Sequence, residues 1–393
     1  MTTQESSSQV VHGLHYATGD AVAVRITDGA ITSVSPLQAG EETAGRGKLP
    51  WIGPGLVDLQ INGFRGKDFN TLPLSSDTVC EVTREVWQEG VTSYFPTVIT
   101  NGDEAIAQAV RSIAEACRKD PVTAAGIGGI HLEGPFLSPE DGPRGAHDRR
   151  FTKAPDWDLF QSWQEAADGK IRIVTLSPEW PGTSAFVEQC AKSGVIVSIG
   201  HTAAEPAQIR EAVSAGATLS THFGNGAHLT LPRHPNYLWE QLAEDGLSTC
   251  VIADGFHLPS SVLKVVLRTK GRQAMLVSDA VHFSGMEPGD YVSHIGGQVT
   301  LTEEGRLHLT GNAKILAGSA QMLPWGISHL VKEELATLAD AWEMASIRPA
   351  AFVGQPASQG MTAGAPADLV LMDQKDGRFQ VQTVYKNGLK VWG

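Results

Sequence analysis

Residues Ile127–Pro139 read IGGIHLEGPFLSP. Glycines and apolar residues lead up to Glu133, and Gly134-Pro135 follows at once. Gly-Pro neither continues a strand nor opens a helix smoothly, so the stretch reads as a short buried strand ending in a carboxylate. In an α/β barrel, the carboxyl rim of the strands is where catalytic groups collect. A single glutamate of this kind is ordinarily a solvated loop residue. Three further stretches repeat the pattern, however: VIVSIGHT closes on His201, TLSTHFGN on His222 and MLVSDA on Asp279. Each is an apolar, β-branched run ended by one ionisable group beside a small or turn-forming neighbour. Imidazole nitrogens and carboxylate oxygens are the ligands of zinc-like cations in catalytic sites. A lone histidine is more often a hydrogen-bonded core or surface residue. A glutamate, two histidines and an aspartate, each at the tip of a separate strand, point instead to one shared site.

Around these stretches, strand candidates centre on Val57, Tyr94, Ile130, Val174, Val197, Leu219, Ile252 and Val277. Helical patterns such as EAIAQAVRSIAEACRK and EPAQIREAVSAG fill the intervals. Eight such units are the count for a (β/α)8 TIM-type barrel. A doubly wound open sheet is the alternative, and it explains less well why polar residues recur at the same end of strands throughout the chain. Residues 10–52 look all-β, with VAVRITDGAITSVSP folded at Asp28-Gly29, and FQVQTVYKNGLKVW is folded at Asn387-Gly388. Strands at both ends predict a small β-sandwich domain formed by the two termini. The expected division is residues 1–52 and 357–393 for that domain and 53–356 for the barrel. GGQVTLTEEGRLHLTGNAKILAGS reads as a β-hairpin insertion, followed by a helical pair, SAQMLPWGISHLVKEE and TLADAWEMASIRPAAFVG.

Composition bounds the partners. The chain has 393 residues, 41% hydrophobic and 19% charged, ordinary for a soluble globular enzyme. A net charge of -13 argues against a general nucleic-acid or anionic-membrane surface, though not against an anionic substrate met by local cations. No apolar run is long enough to span a bilayer, and MTTQESSSQ lacks the basic and apolar regions of a signal peptide. Cys80, Cys117, Cys190 and Cys250 are scattered without a CxxC pair, the pattern of reduced cysteines in a cytoplasm.

The stretches PGLVDLQINGF, IHLEGPFLSPEDGPRGAH, VTLSPE, SIGHT, THFGNGAH, IADGFH, VSDA and LAGS occur in one order. Together they resemble the amidohydrolase superfamily and, within it, the N-acetylglucosamine-6-phosphate deacetylases. HLEGPF, GHT and DGFH in one chain are specific, whereas any one alone is weak. The resemblance implies that Glu133, His201 and His222 bind metal and that Asp279 is the catalytic acid/base. His147, with Ala146 before it in RGAH, corresponds to a histidine near the substrate's amide carbonyl. Asn225 and Gly226 occupy the position of backbone phosphate contacts, and Arg233 that of a phosphate-binding arginine reaching across from a partner subunit. His257 matches a substrate-binding histidine, and Ala317 and Gly318 fall in a loop over the sugar. Gln60 either hydrogen-bonds the attacking water or fills the barrel floor.

Three departures from the pattern stand out. Asp58-Leu59-Gln60 replaces the HxH pair that helps many relatives hold a second metal, so one ion is expected. Asn225-Gly226-Ala227-His228 replaces a NAMP-like segment, and AVHFSGMEPGDY brings a His and a Phe where small residues are common. No role is assigned to His228, His234 or His282. The implied activity is metal-dependent hydrolysis of N-acetylglucosamine 6-phosphate to glucosamine 6-phosphate and acetate, by a cytoplasmic homodimer. The ligand set suits zinc, and also iron, cobalt or manganese. Two alternatives remain open. One is deacylation of another N-acyl compound: N-acetylgalactosamine 6-phosphate, an unphosphorylated amino sugar or an N-acyl amino acid. The other is a non-catalytic sugar-binding barrel.

Overall fold

The computed structural model describes residues 8–37 and 49–393, apart from 294 and 296. Residues 1–7 of the Ser-rich start and residues 38–48 of the all-β stretch lie outside the described residues. Eight strands form one sheet in chain order: Leu56–Ile61, Val91–Ile99, Ile130–Glu133, Ile171–Leu176, Ile196–Ile199, Ala217–Ser220, Ser248–Val251 and Ala274–Leu276. A parallel bridge from Ile61 to Ala280, with the Asn62 N–H donating to the Ala280 carbonyl at 2.8 Å, brings the first strand to the end of the last. The sheet thereby closes into a (β/α)8 barrel, with no reversal of strand order of the kind a doubly wound sheet requires. Six of the expected strand centres fall inside these strands, and Ile252 and Val277 lie one residue past their ends.

The helices follow from periodicity. In Asp103–Lys119 the buried residues Ile106, Val110, Ile113, Ala114 and Cys117 recur at three- and four-residue spacing, which turns one stripe inward. Asp103 and Glu104 open that helix and Arg118 and Lys119 close it, complementing its dipole. Inside the barrel a polar layer crosses four strands. His131 donates from Nδ1 to the Leu59 carbonyl at 2.9 Å, so its Nε2 accepts from the Thr175 hydroxyl at 2.7 Å. Thr175 Oγ1 in turn accepts from Thr221 at 2.7 Å, and Thr221 bonds Ser198. Every hydroxyl in the layer has a partner, as burial demands.

The chain divides into two compact units, and all the carboxyl ends of the barrel strands belong to the one made of Leu59–Thr83 and Tyr94–Gln321. That unit also holds the insertion, a four-stranded antiparallel sheet of Gly289–Ser293, Gly297–Leu301, Leu307–Leu309 and Asn312–Leu316. Its own small core consists of Phe283, Val299, Leu301, Leu307 and Ala320.

The other unit combines the chain up to Asp58 with Arg84–Ser93 and Met322–Gly393. Strands from both termini share one seven-stranded sheet there, in which Trp51–Pro54 runs beside Ser8–His15 on one side and Leu369–Lys375 on the other. Its hairpins turn at Asp28-Gly29 and Asn387-Gly388, with φ positive at all four residues (50°, 82°, 47° and 73°), as a type I′ turn needs. The expected helical pair is three helices, Leu323–Lys332, Leu338–Met344 and Ile347–Phe352, because the chain leaves helical geometry at Ser346. Among the described residues no helix is long and apolar enough to cross a membrane.

The polar layer has a measurable consequence. Burial lowers the His131 pKa from 6.5 to about 4. Below pH 6.5 the unfolded chain takes up a proton at this residue that the folded chain refuses until about pH 4. Stability is therefore present above pH 6.5 and lost as pH falls through that window, by about 3 kcal/mol from this residue. In urea titrations between pH 7.5 and 4, a His131→Gln variant should show a flatter dependence on pH than the wild type. Parallel pH profiles would remove His131 from the acid sensitivity.

Candidate active site

Glu133 is the last residue of its strand, as its sequence predicts. The other three groups sit farther out than expected, since their strands end at Ile199, Ser220 and Leu276. Each lies beyond its strand in a left-handed backbone conformation: His201 with φ 49°, His222 with φ 23° and Asp279 with φ 48°. Residues bearing a side chain rarely adopt this region, at a cost of roughly 1–2 kcal/mol each, and such strain concentrates at functional positions. It turns all three side chains inward at the rim rather than letting them alternate along a strand.

The result is a tight buried cluster. Glu133 Oε1 is 2.9 Å from His222 Nε2 and 3.2 Å from His201 Nε2, and the two imidazole nitrogens are 3.1 Å apart. Donors around a tetrahedral cation at ligand distances of about 2.0–2.1 Å are separated by about 3.3 Å, so these atoms fit a divalent ion. The tautomers agree. His201 Nδ1 donates to the Pro143 carbonyl at 2.8 Å, which leaves Nε2 as a lone pair facing the cluster. His147 borders the same group, and its ligand atom lies within 4.8 Å of those of Glu133 and His201. Its Nε2 is 4.0 Å from Glu133 Oε2, a looser approach than that of His222, so Glu133, His201 and His222 make the closer triad.

Glycines make room for the ligand. A Cβ on Gly226 would lie 2.5 Å from His201 Nδ1, and one on Gly145 would lie 3.2 Å from His201 Cε1. Both glycines have positive φ, 59° and 58°. Farther out, Glu179 ties the loops of three strands together. It accepts from Ser138 Oγ at 2.9 Å, Ser177 Oγ at 2.6 Å and the Ala203 N–H at 2.8 Å.

Electrostatics separates the roles. Burial pushes the Glu133 carboxyl up, but in the metal-free chain the adjoining His201 and His222 imidazoles outweigh it and hold the group well below the usual range. Burial pulls His222 down, and its bond to Glu133 overcomes this and raises it to about 9 in the metal-free chain. Burial, reinforced by the neighbouring His201, lowers His147 to about 3, so it stays neutral. Burial raises Asp279 to about 6, against the attraction of His222. Asp279 is the one carboxylate of the cluster with a proton affinity near neutrality, as a group that takes and returns a proton requires.

Several expected residues join this region and others do not. His257 donates from Nδ1 to Asp254 Oδ2 at 2.7 Å, which directs its Nε2 outward. Gln60 is buried at the end of the first strand. Asn225 lies three residues past left-handed His222, and its Nδ2 is buried with no partner among the described residues. Ala146 is exposed beside buried His147. Ala317 packs on the core of the insertion, and Gly318 follows it with φ 100°. Arg233 is exposed. Of the residues left without a role, His228 bonds Glu140 at 3.1 Å and Tyr237 at 3.1 Å, and His282 meets Asp68 at 2.8 Å.

Residues the sequence reading missed support the cluster from behind. Asn62 Nδ2 donates to Asp279 Oδ1 at 2.8 Å, Thr100 Oγ1 meets His147 Nδ1 at 2.9 Å, and Asp254 orients His257. Asp254 could have been found from its spacing to His257, since it also accepts the Phe256 and His257 N–H groups as a turn-capping aspartate. Asn62 is hidden in Asn-Gly, which reads as an ordinary turn.

Comparison with known proteins places the chain. Residues 51–391 match the amidohydrolase family. The chain is 33% identical over 356 residues to N-acetylglucosamine-6-phosphate deacetylase of Bacillus subtilis, covering 89% of this chain and 88% of that protein. It is 32% identical over 352 residues to the human enzyme of the same name, covering 87% and 83%. A mutant of N-acetyl-D-glucosamine-6-phosphate deacetylase from Mycobacterium smegmatis, solved with N-acetyl-D-glucosamine-6-phosphate, superposes with a TM-score of 0.84 at 26% identity, covering 98% of this chain and 100% of that one. The strand order, the rim cluster and these similarities agree: the chain belongs to the amidohydrolase family.

Proposed function

We propose that the protein hydrolyses the N-acetyl amide of N-acetylglucosamine 6-phosphate, releasing acetate and glucosamine 6-phosphate. The observation that carries the reading is the buried convergence of Glu133, His201 and His222 beside an aspartate raised to about 6, in a chain whose relatives bear that activity in their names. Glu133, His201 and His222 would hold one divalent ion, which we read as zinc; iron, cobalt and manganese accept the same donors. When bound, such an ion supplies Lewis acidity, which makes a water nucleophilic near neutral pH and polarises the acetyl carbonyl.

The chain's own residues supply the rest. Asp279 takes the proton of the attacking water and returns it to the departing amine, so one carboxylate serves twice. His147 stays neutral, is tied through Nδ1 to the Thr100 hydroxyl at 2.9 Å, and turns its Nε2 toward the developing oxyanion. His257, held by Asp254, offers Nε2 to a sugar hydroxyl. Gln60 lies near the attacking water or fills the floor beneath it. The Ala146 backbone and the loop of Ala317 and Gly318 flank the sugar.

Asn225, Gly226 and Arg233 form the phosphate site in this reading, with Arg233 supplied by the partner subunit of a cytoplasmic homodimer. Two observations support the partner's part: Arg233 is exposed in the single chain, and Leu229 in the same segment is 105% exposed. An apolar side chain in that state suits a loop that packs against another chain. The division into a barrel over residues 53–356 and a terminal β-domain from 1–52 and 357–393 belongs to the same proposal.

The deciding assay measures free amine released from N-acetylglucosamine 6-phosphate, N-acetylgalactosamine 6-phosphate and unphosphorylated N-acetylglucosamine. Release from only the last would overturn the phosphate reading. Asp279→Asn keeps the shape of the carboxylate but cannot relay a proton, and should lower kcat by at least about 100-fold with metal content unchanged. Wild-type kcat/KM should fall on acidification at or below about pH 6, as Asp279 takes up a proton. A residual activity of Asp279→Asn that kept this acid limb would assign it to another group. Arg233→Ala should raise KM for the phosphorylated sugar at least about tenfold and leave the unphosphorylated one unchanged. Equal effects on both sugars would take Arg233 out of the phosphate site.

A further inference from the structure

We infer that Asn62 is the positioning residue of the acid/base: its amide holds one oxygen of Asp279, so that the other is presented first to the water and then to the departing nitrogen. This rests on the deacetylation reading above and assigns a part to a residue outside the ligand set. Asn62 Nδ2 is 2.8 Å from Asp279 Oδ1, and the residue is 9% exposed. An ionised carboxylate only accepts, so the amide nitrogen must be the atom that faces it.

Both partners are anchored through the backbone. The Asn62 N–H donates to the Ala280 carbonyl at 2.8 Å, and the Asn62 carbonyl accepts from the Phe69 N–H at 2.9 Å. The Ala280 N–H donates to Ser278 Oγ at 3.1 Å, which fixes the other side of Asp279. The bond therefore crosses the seam where the first barrel strand meets the last, at a residue with φ 48°. A carboxylate on so unusual a backbone has no strand neighbour to set its rotamer, and the amide performs that task. Such pre-set geometry is what makes a proton transfer efficient, because the acceptor need not search for its orientation.

In the reaction an O–H bond of the water breaks as its oxygen bonds the acetyl carbon, and the proton passes to the free oxygen of Asp279. That proton then moves to the nitrogen as the C–N bond breaks. Asn62 exchanges no proton. Its Oδ1 is buried without a partner among the described residues, so an acceptor stands beside the acid for the N–H of the bond being cleaved.

The test is a double-mutant comparison on N-acetylglucosamine 6-phosphate, using Asn62→Ala, Asn62→Asp, Asn62→Ser, Asp279→Asn and the pair Asn62→Ala with Asp279→Asn. Wild-type release of amine is measured first, and its absence would sink the functional reading rather than this inference. With the wild type active, Asn62→Ala should lower kcat about 30-fold while KM stays within about threefold. Asn62→Asp keeps the shape but loses the donor, and should fall at least as far. Asn62→Ser restores a donor and should recover at least about threefold over alanine. In the Asp279→Asn background, Asn62→Ala should change kcat less than about twofold, because a residue acting through another has nothing left to position. Thermal melting and metal content accompany each variant, and Asn62→Asp and Asn62→Ser decide the matter if the alanine variant does not fold. Wild-type kcat in Asn62→Asp, a loss confined to KM, no recovery with serine, or an undiminished factor in the Asp279→Asn background would each overturn the inference. If the double variant falls below detection, the split between kcat and KM and the serine recovery decide.

Discussion

The contact between the buried Glu133 carboxylate and the two imidazoles of His201 and His222 is the constraint that the other features of the site serve. A carboxylate withdrawn from water costs several kcal/mol unless opposite charge or strong donors surround it. Here two nitrogens approach within 3.2 Å of one oxygen, and they come from different strands of the barrel. Closing the sheet through Ile61 and Ala280 is what lets groups more than 140 positions apart in the chain share one cavity. The left-handed turns at the three rim residues, the glycines packed on His201 and the Glu179 tie are the local means by which the loops accommodate that convergence.

Burial in one place produces opposite outcomes for chemically similar groups. Glu133 is held ionised by its donors, whereas Asp279, with one amide donor and a like charge nearby, is raised to about 6. The difference lies in the number and charge of neighbours, since two imidazoles face Glu133 and one amide faces Asp279. The same logic separates the histidines: His222 gains from the carboxylate, and His147 is neutralised by burial and by the neighbouring imidazole. One polar cluster thus holds a permanent anion, a proton acceptor and a neutral hydrogen-bonding imidazole.

Much of the barrel was legible because its strands are apolar runs closed by turn residues, a pattern that survives any tertiary context. Glu133, His201, His222 and Asp279 stood out because an ionisable residue after a β-branched run is conspicuous. Their backbone conformation was not legible: nothing in SIGHT or VSDA says that His201 and Asp279 turn left-handed beyond their strands. Polar residues inside the barrel were hidden for a related reason. His131 sits one residue from an apolar neighbour on either side, and only closure of the barrel brings Leu59 and Thr175 within its reach. Asn62 looked like half of a turn, and its bond to Asp279 spans 217 residues. Contacts of that range leave no local periodicity to read.

The two glycines against the His201 ring link two segments of the rim through one side chain. Gly145 belongs to the segment that brings in His147, and Gly226 to the segment proposed to meet the phosphate, so both rest on one imidazole. That imidazole is held from its other edge by the Pro143 carbonyl, 2.8 Å from Nδ1. A side chain at either glycine would push against the ring, so a change in one segment would be felt in the other and at Glu133.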